Sequence, residues 1–458
     1  MRASGAVQSW MTEADGGARL APQPDLPFVA AATADDSVLV ITVDRGTAYQ
    51  SIVGFGAAMT DASAWLFQTR LSSAQRASLL QELFGRTGDG IGLDMLRLTI
   101  GASDFSRAHD TLADLPPGVP PATRDDSLAT FSIARDRGEL IPVVRQVLSI
   151  NPSLVIMATP WSAPAWMKST GALAGGTLRP DAYAAFAEYL HRYVAAYEGE
   201  GIPISLLSIQ NEPHHEPADY PGMRFEPAAR AAFIAQHLGP LFARRHVRTR
   251  LLDWDHNWDE PNAPLSVLGD SAARPFVAGV AWHCYAGDVA AQSLVHAAHP
   301  DKDTFFTECA GGAWAPHWGD NLLWNVRTLV IGSTRHWARG VMLWNLALDE
   351  QHGPHTGGCN DCRGVVTIEA ATGAVTRNEE YYALAHASRF VRPGARRVAS
   401  TSGAHEVETV AFHHASDGSV VLLAVNAASG DRRVVVRDGT RAFHALLPPR
   451  TVTTFVWR

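Results

Sequence analysis

The sequence predicts a (β/α)8 barrel fused to a small β-sandwich. Three observations carry that expectation. Short apolar runs alternate with helical patterns eight times between residues 51 and 390. Polar and aromatic side chains collect just after those runs, as they do at the C-terminal rim of such a barrel. After residue 390 the pattern changes to short β-rich runs separated by turn signals such as Asp417-Gly418 and Ser429-Gly430.

The barrel strands are expected at Ile52–Met59, Met95–Ile100, Leu154–Thr159, Leu206–Gln210, Thr249–Asp253, Gly279–His283, Thr304–Thr307 and Gly340–Trp344. Helices are expected at Ser72–Phe84 and Asp181–Tyr197, the second from the spacing of Tyr183, Phe186, Ala187, Leu190 and Val194. Val407–His413, Ser419–Asn426, Arg432–Val436 and Thr451–Trp457 read as strands of the second domain. An early strand, Ser37–Val43, has no place in the barrel and is expected to pair with that domain. The resulting division is an N-terminal extension (1–35), strand material (36–50), the barrel (51–390) and the sandwich (391–458).

Composition narrows the function classes. The chain has 458 residues, 46% hydrophobic, with 38 basic and 46 acidic residues for a net charge of −8. A mildly acidic surface argues against nucleic acid or anionic membrane as partner. No apolar run approaches the ~20 residues of a membrane span. Met1-Arg2-Ala3-Ser4-Gly5 lacks the apolar centre of a signal peptide, which leaves a cytoplasmic protein or a secreted one with its signal removed. Four cysteines are too few for a disulfide scaffold. Oligomeric state is open.

Glu212 and Glu308 are the candidate catalytic residues. Each closes an apolar run, where a carboxylate is costly to desolvate. By position Glu212 ends the fourth strand and Glu308 the seventh, across the barrel mouth from one another. Glycoside hydrolysis needs such a pair, one carboxyl protonated and one ionised. A lone strand-end glutamate is equally a rim salt-bridge partner; two in this register point to chemistry. Asn211 precedes Glu212 and is placed to bond a sugar hydroxyl. Trp161, Trp166, Trp254, Trp282, Trp314 and Trp344 fall at or near strand ends, where indoles stack on sugar faces; about half are expected in the core instead.

With its flanking residues in view, the chain resembles glycoside hydrolase family 30, the glucocerebrosidase (glucosylceramidase) family. The resemblance runs through Val53-Gly54-Phe55-Gly56-Ala57-Ala58-Met59-Thr60-Asp61, Arg97 with Ala102-Ser103-Asp104-Phe105-Ser106, and Thr159-Pro160-Trp161-Ser162-Ala163-Pro164-Ala165-Trp166-Met167-Lys168. It continues through Asn211-Glu212-Pro213, His283-Cys284-Tyr285, Glu308-Cys309 and Trp344-Asn345-Leu346-Ala347-Leu348. It implies retaining hydrolysis, with Glu212 as acid/base and Glu308 as nucleophile. It also implies that Asp104, Trp161, Asn211, Tyr285 and Trp344 bind the sugar, with Arg97, His283 and Asn345 in support. Asn360 matches a sugar-contacting asparagine. No cofactor is implied.

One loop departs from the lysosomal pattern: His352-Gly353-Pro354-His355-Thr356-Gly357-Gly358-Cys359-Asn360-Asp361-Cys362-Arg363-Gly364. Cys359 and Cys362 read as a local disulfide, as two thiols, or as a zinc site with His352 and His355. Cys284 and Cys309 read as buried free thiols. The expected function is a retaining β-glycosidase acting on a β-linked glucoside, glucosylceramidase-like. The alternatives are an endo-β-1,6-glucanase of the same family, a carbohydrate-binding barrel without catalysis, and a zinc hydrolase using the His/Cys loop.

Overall fold

The computed structural model describes residues 5–31, 38–120 and 123–458. Eight parallel strands close on themselves in chain order: β1 (Gly54–Met59), β2 (Met95–Ile100), β3 (Val155–Pro160), β4 (Leu206–Ser208), β5 (Arg250–Asn257), β6 (Val277–His283), β7 (Asp303–Glu308) and β8 (Ala338–Asn345). One apolar layer fills the barrel floor. Met95, Met157, Leu206, Leu252, Ala281, Phe305 and Met342 come one each from β2 to β8. β1 contributes Gly56 instead, because a Cβ there would lie 1.9 Å from the Met95 carbonyl oxygen. The core therefore carries no channel, and chemistry is confined to the rim.

The surrounding helices follow local signals. Ser72 and Gln75 form a reciprocal capping box that starts the helix Ser73–Phe84. The helix Tyr183–Gly199 begins two residues later than its periodicity predicts, because a short turn at Pro180–Ala182 precedes it. Its inward stripe of Tyr183, Phe186, Ala187, Leu190 and Val194 is buried as the spacing requires.

Three barrel strands carry a bulge next to the rim. Ala281 pairs with Trp254 and Trp282 with His256, which leaves Asp255 as the extra residue on β5. Trp282 pairs with Phe306 and His283 with Glu308, which leaves out Thr307 on β7. Leu343 pairs with Ala57 and Asn345 with Ala58, which leaves out Trp344 on β8. Bulges bend a strand and re-aim its side chains. Here they turn the ends of β5, β7 and β8 toward one point.

The second domain is a ten-stranded β-structure in the order Ala21–Pro27, Ala6–Glu13, Thr451–Trp457, Val420–Asn426, Val407–His413, Arg396–Ser400, Leu39–Ser51, Arg432–Asp438, Arg441–Leu447 and Val29–Ala30. The described part of residues 1–35 supplies three strands of this sheet, one of them, Ala6–Glu13, beside the C-terminal strand. The early strand runs Leu39–Ser51, longer than predicted, and its expected first residue, Ser37, lies outside the described residues. Its first half pairs with Arg432–Asp438 and its second with Arg396–Ser400. Alternate residues of the central strands split between two cores. Leu422, Ala424 and Phe455 face the sandwich interior, whereas Val421, Leu423, Val425 and Val452 pack toward the barrel.

Candidate active site

Glu212 and Glu308 converge above the C-terminal ends of β4 and β7. Glu308 is the last residue of β7, and its side chain is 7% exposed. Glu212 lies four residues beyond β4 in a left-handed conformation, φ 45°. Its amide donates to the Asp255 carbonyl at 3.0 Å, and the preceding Asn211 amide donates to the Pro160 carbonyl at 2.8 Å. Gln210 Nε2 donates to the carbonyls of Trp161 and Asn211 at 2.7 and 2.8 Å. Trp254 and Asp255 are also left-handed, at φ 76° and 52°. Such backbone costs about 1–3 kcal/mol per residue and clusters at functional sites.

His283 measures the gap between the two glutamates. Its Nδ1 is 3.1 Å from Glu212 Oε1 and 3.8 Å from Glu308 Oε1. The two carboxylate oxygens are therefore no further apart than the sum of those distances, 6.9 Å. Retaining pairs lie about 5–5.5 Å apart and inverting pairs about 6.5–9.5 Å.

Beneath the pair lies a buried charge network. Arg97, fully buried, donates to Glu308 Oε2, to Asn211 Oδ1 at 2.7 Å and to Asp255 Oδ2 at 2.9 Å. Asp255 also accepts from Thr159 Oγ1 at 3.1 Å, Thr307 Oγ1 at 2.7 Å and His283 Nε2 at 3.1 Å. The sequence does not single out Asp255. The structure makes it the anchor that holds both Arg97 and His283. The Arg97 guanidinium lies 4.9 Å from the Trp161 ring centre and 5.4 Å from that of Trp344. Those two rings stack at 5.0 Å.

The protonation pattern follows from these contacts. Burial opposes a charge on His283, but the Glu308 carboxylate, with hydrogen bonds to Asp255 and Glu212, overcomes it and pushes the pKa up to about 9. Burial likewise disfavours charge on Glu212, yet donors from the His256 and His283 side hold its carboxyl well below the usual range. His256 Nδ1 is 3.5 Å from Glu212 Oε1, too long for a firm bond, so His283 is the stronger donor. The proton shared between His283 and Glu212 is therefore held on the His283 side. Asp104 behaves oppositely. Burial, then the charge of Glu308, pushes it well above the ordinary range, which favours its neutral, donating form.

A cleft of about 570 Å³ opens over this network. Asp104, Trp161, Asn211, Glu212, Tyr285, Glu308 and Trp344 line it, with Trp314, another of the six tryptophans; so do His215, Tyr220, His256 and Asn257, which sequence reasoning did not select as site residues. Tyr285 is 46% exposed as a whole, but its phenol points inward and donates to Glu308 Oε1 at 2.9 Å. Arg97, His283 and Asn345 sit behind the wall; Asn345 accepts from Thr60 Oγ1 at 2.8 Å. Of the six tryptophans, Trp166, Trp254 and Trp282 are core residues. Asn360 does not take the place expected of it. It is exposed and off the cleft, where Gly358, Cys359 and Cys362 form the wall instead.

The cysteines correct one expectation and decide among the three readings of another. Cys284 and Cys309 are joined in a disulfide rather than being free thiols. Their Cα atoms lie 5.5 Å apart because β6 and β7 are neighbours. Cys359 and Cys362 form the local disulfide. His352 Nδ1 and His355 Nδ1 bond the carbonyls of Cys362 and Gly357, so these four side chains make no zinc ligand set. Among the described residues, the ligand atoms that converge most closely are those of Glu212, His256 and His283, within 4.8 Å of one another.

Glycosyl hydrolase family 30 models match both parts of the chain, the TIM-barrel domain over residues 52–391 and the β-sandwich domain over residues 394–455. The chain belongs to glycosyl hydrolase family 30. Its relatives include glucanases and a glucosylceramidase. An endo-1,6-beta-D-glucanase of Neurospora crassa is 33% identical, with 98% of this chain and 94% of that protein covered. The lysosomal acid glucosylceramidase of Mus musculus is 28% identical, with 92% and 84% covered. A solved endo-beta1,6-glucanase superposes with a TM-score of 0.91 at 29% identity, covering 99% of both chains. As a family 30 protein the chain is a glycosidase, with the eight-stranded parallel barrel and β-domain that its sequence predicts.

Proposed function

We propose that this family 30 glycosidase is a retaining endo-β-1,6-glucanase, with Glu308 as nucleophile and Glu212 as acid/base. The observation that carries the mechanism is the Glu212–His283–Glu308 bridge, which keeps the two carboxylates within reach of one anomeric carbon. Glu308 attacks that carbon, the glycosidic C–O bond breaks, and the leaving oxygen takes a proton from Glu212. Water then attacks the same carbon, gives its proton to Glu212 and releases Glu308 as carboxylate.

His283 supplies the proton that an ionised Glu212 lacks. The charge of Glu308 is the strongest influence holding a proton on His283. Attack converts Glu308 to a neutral ester and removes that attraction. The proton is thereby released toward Glu212 Oε1, 3.1 Å away, as the leaving oxygen needs it. Arg97 and Tyr285 each donate to one carboxylate oxygen of the nucleophile and hold it in place beforehand. Asp104, neutral, offers a hydroxyl donor to the sugar, and the Trp161–Trp344 stack offers it a face.

The substrate reading departs from the glucosylceramidase-like expectation. The β-1,6-glucanase named above is more similar to this chain than the glucosylceramidase, and the solved glucanase covers it end to end. The mouth of the cleft also supports a glycan chain. Trp314, 54% exposed, and Tyr285 present aromatic faces beside polar His215 and Asn257. A glucolipid is the second reading.

Two experiments test this. Oligosaccharide release from a β-1,6-glucan, with little glucose from glucosylceramide, is expected; the reverse profile overturns the substrate. Glu308→Gln should abolish turnover, while Glu212→Gln should spare aryl glucosides with good leaving groups far more than poor ones. Equal losses on both substrates would remove the role of Glu212.

A further inference from the structure

The Cys284–Cys309 disulfide joins the two short segments that carry the nucleophile and its neighbours. Cys284 sits between His283 and Tyr285, and Cys309 follows Glu308. Regular pairing of β6 with β7 is interrupted just before this point. Trp282 faces Phe306, the bulge leaves out Thr307, and His283 faces Glu308 as the last pair. A bulge disrupts the ladder locally. Beyond it, Tyr285 turns away from the sheet, its amide bonded to Asn257 Oδ1 at 3.0 Å, yet its phenol must return to Glu308 Oε1 at 2.9 Å.

We infer that the Cys284–Cys309 disulfide is a positioning device that replaces the interrupted strand pairing and holds Glu308 in register with Tyr285 and His283. The inference rests on the reading of Glu308 as nucleophile. It assigns the cysteines no chemical step; they act through the carboxylate they hold. A nucleophile displaced by about 1 Å loses roughly a hundredfold in rate. The bond is also reachable without entering the catalytic cleft. Cys309 is buried, but Cys284 is half-buried and borders a separate cleft of about 680 Å³ with Trp258, Asp288 and Trp324.

The test is a double-mutant cycle on an activated aryl β-glucoside. The Cys284→Ala/Cys309→Ala protein should lose about tenfold or more in kcat with KM changed less than about twofold. Tyr285→Phe alone should lose a similar factor. Combined with the cysteine pair it should add little, because the phenol contact is already lost. Losses that multiply, or an unchanged kcat in the cysteine variant, overturn the inference even if thermal stability falls. If that variant does not fold, a Cys359→Ala/Cys362→Ala protein serves instead, since only the Cys284–Cys309 bond then responds to dithiothreitol. Its kcat should fall on reduction and recover on reoxidation, with the circular dichroism unchanged; no response overturns the inference. A wild-type protein without activity on any β-glucoside defeats the hydrolase reading, and the inference with it. Normal wild-type activity with unaffected variants defeats the inference alone.

Discussion

Asp255 shows how much of the site rests on one residue that touches no substrate. It is fully buried and takes donors from Arg97, His283, Thr159 and Thr307. Burial alone would neutralise it, but Arg97, then His283, keeps it ionised. Asp255→Asn puts an amide donor among groups that are all donors and leaves Arg97 under-compensated. Breaking a buried pair in this way costs about 3–5 kcal/mol. Chemical denaturation should record that loss, and kcat should fall at least about a hundredfold as Arg97 and His283 lose their anchor. A variant with wild-type kcat would remove Asp255 from the machinery. The glutamates were legible in the sequence because each closes an apolar run. Asp255 was not, because the bulge that aims it leaves no mark in residue order. His283 supplies a second test at this scale. The His283–Glu212 pair holds the transferable proton below about pH 9 and loses it as pH rises through that value. The alkaline limb of kcat/KM should therefore fall near pH 9, and His283→Gln should move it to lower pH. A limb unchanged in that variant would exclude His283 from the proton path.

At the scale of elements, the strands of the barrel were readable because each is an apolar run buried on both faces. Ala6–Glu13 and Ala21–Pro27 were not. The second holds Pro22 and Pro24, which normally exclude a strand. It is tolerated because Ala21–Pro27 is at the sheet edge, with one partner only. The loop after β8 resisted for a different reason: its form is fixed by contacts from distant segments. Thr356 donates to the Asp104 carbonyl at 2.9 Å, and the Gly358 amide donates to Asp219 Oδ2 at 3.1 Å. Gly358 has φ +68°, and a Cβ there would stand 2.5 Å from Asp104 Cβ. Gly358→Ala should thus push Asp104 out of place. The expected result is a KM raised about tenfold, since a hydrogen bond to one hydroxyl is worth about 0.5–1.5 kcal/mol, together with a loss of folding stability from the left-handed backbone at this position. Steady-state kinetics together with a melting curve check it; an unchanged KM would mean that Asp104 does not bind the sugar.

The whole molecule is closed by its two ends, and one histidine sits at that closure. His386, in the helix Glu379–Ser388, bonds Thr454 Oγ1 of the last strand at 2.9 Å and Thr12 Oγ1 of the first at 2.8 Å. Burial alone lowers its pKa to about 3, so the fold holds it neutral. Below about pH 6.5 the unfolded chain binds a proton at this residue that the native protein does not. Stability from His386 is therefore complete above that pH and falls as pH falls toward about 3, by about 1.4 kcal/mol per pH unit. His283 has the opposite sign. Its raised pKa makes its contribution complete below about pH 6.5 and lost as pH rises through about 9. The two contributions have opposite signs: His386 adds to the acid slope at the closure between barrel and sandwich, and His283 adds to the alkaline slope in the active site. Urea unfolding of the wild type and each variant across the range isolates them. His386→Gln should reduce the acid slope by about one proton, and His283→Gln should change only the alkaline side. An acid slope that survives His386→Gln intact would mean that the seam does not govern acid unfolding, and that carboxylates elsewhere do.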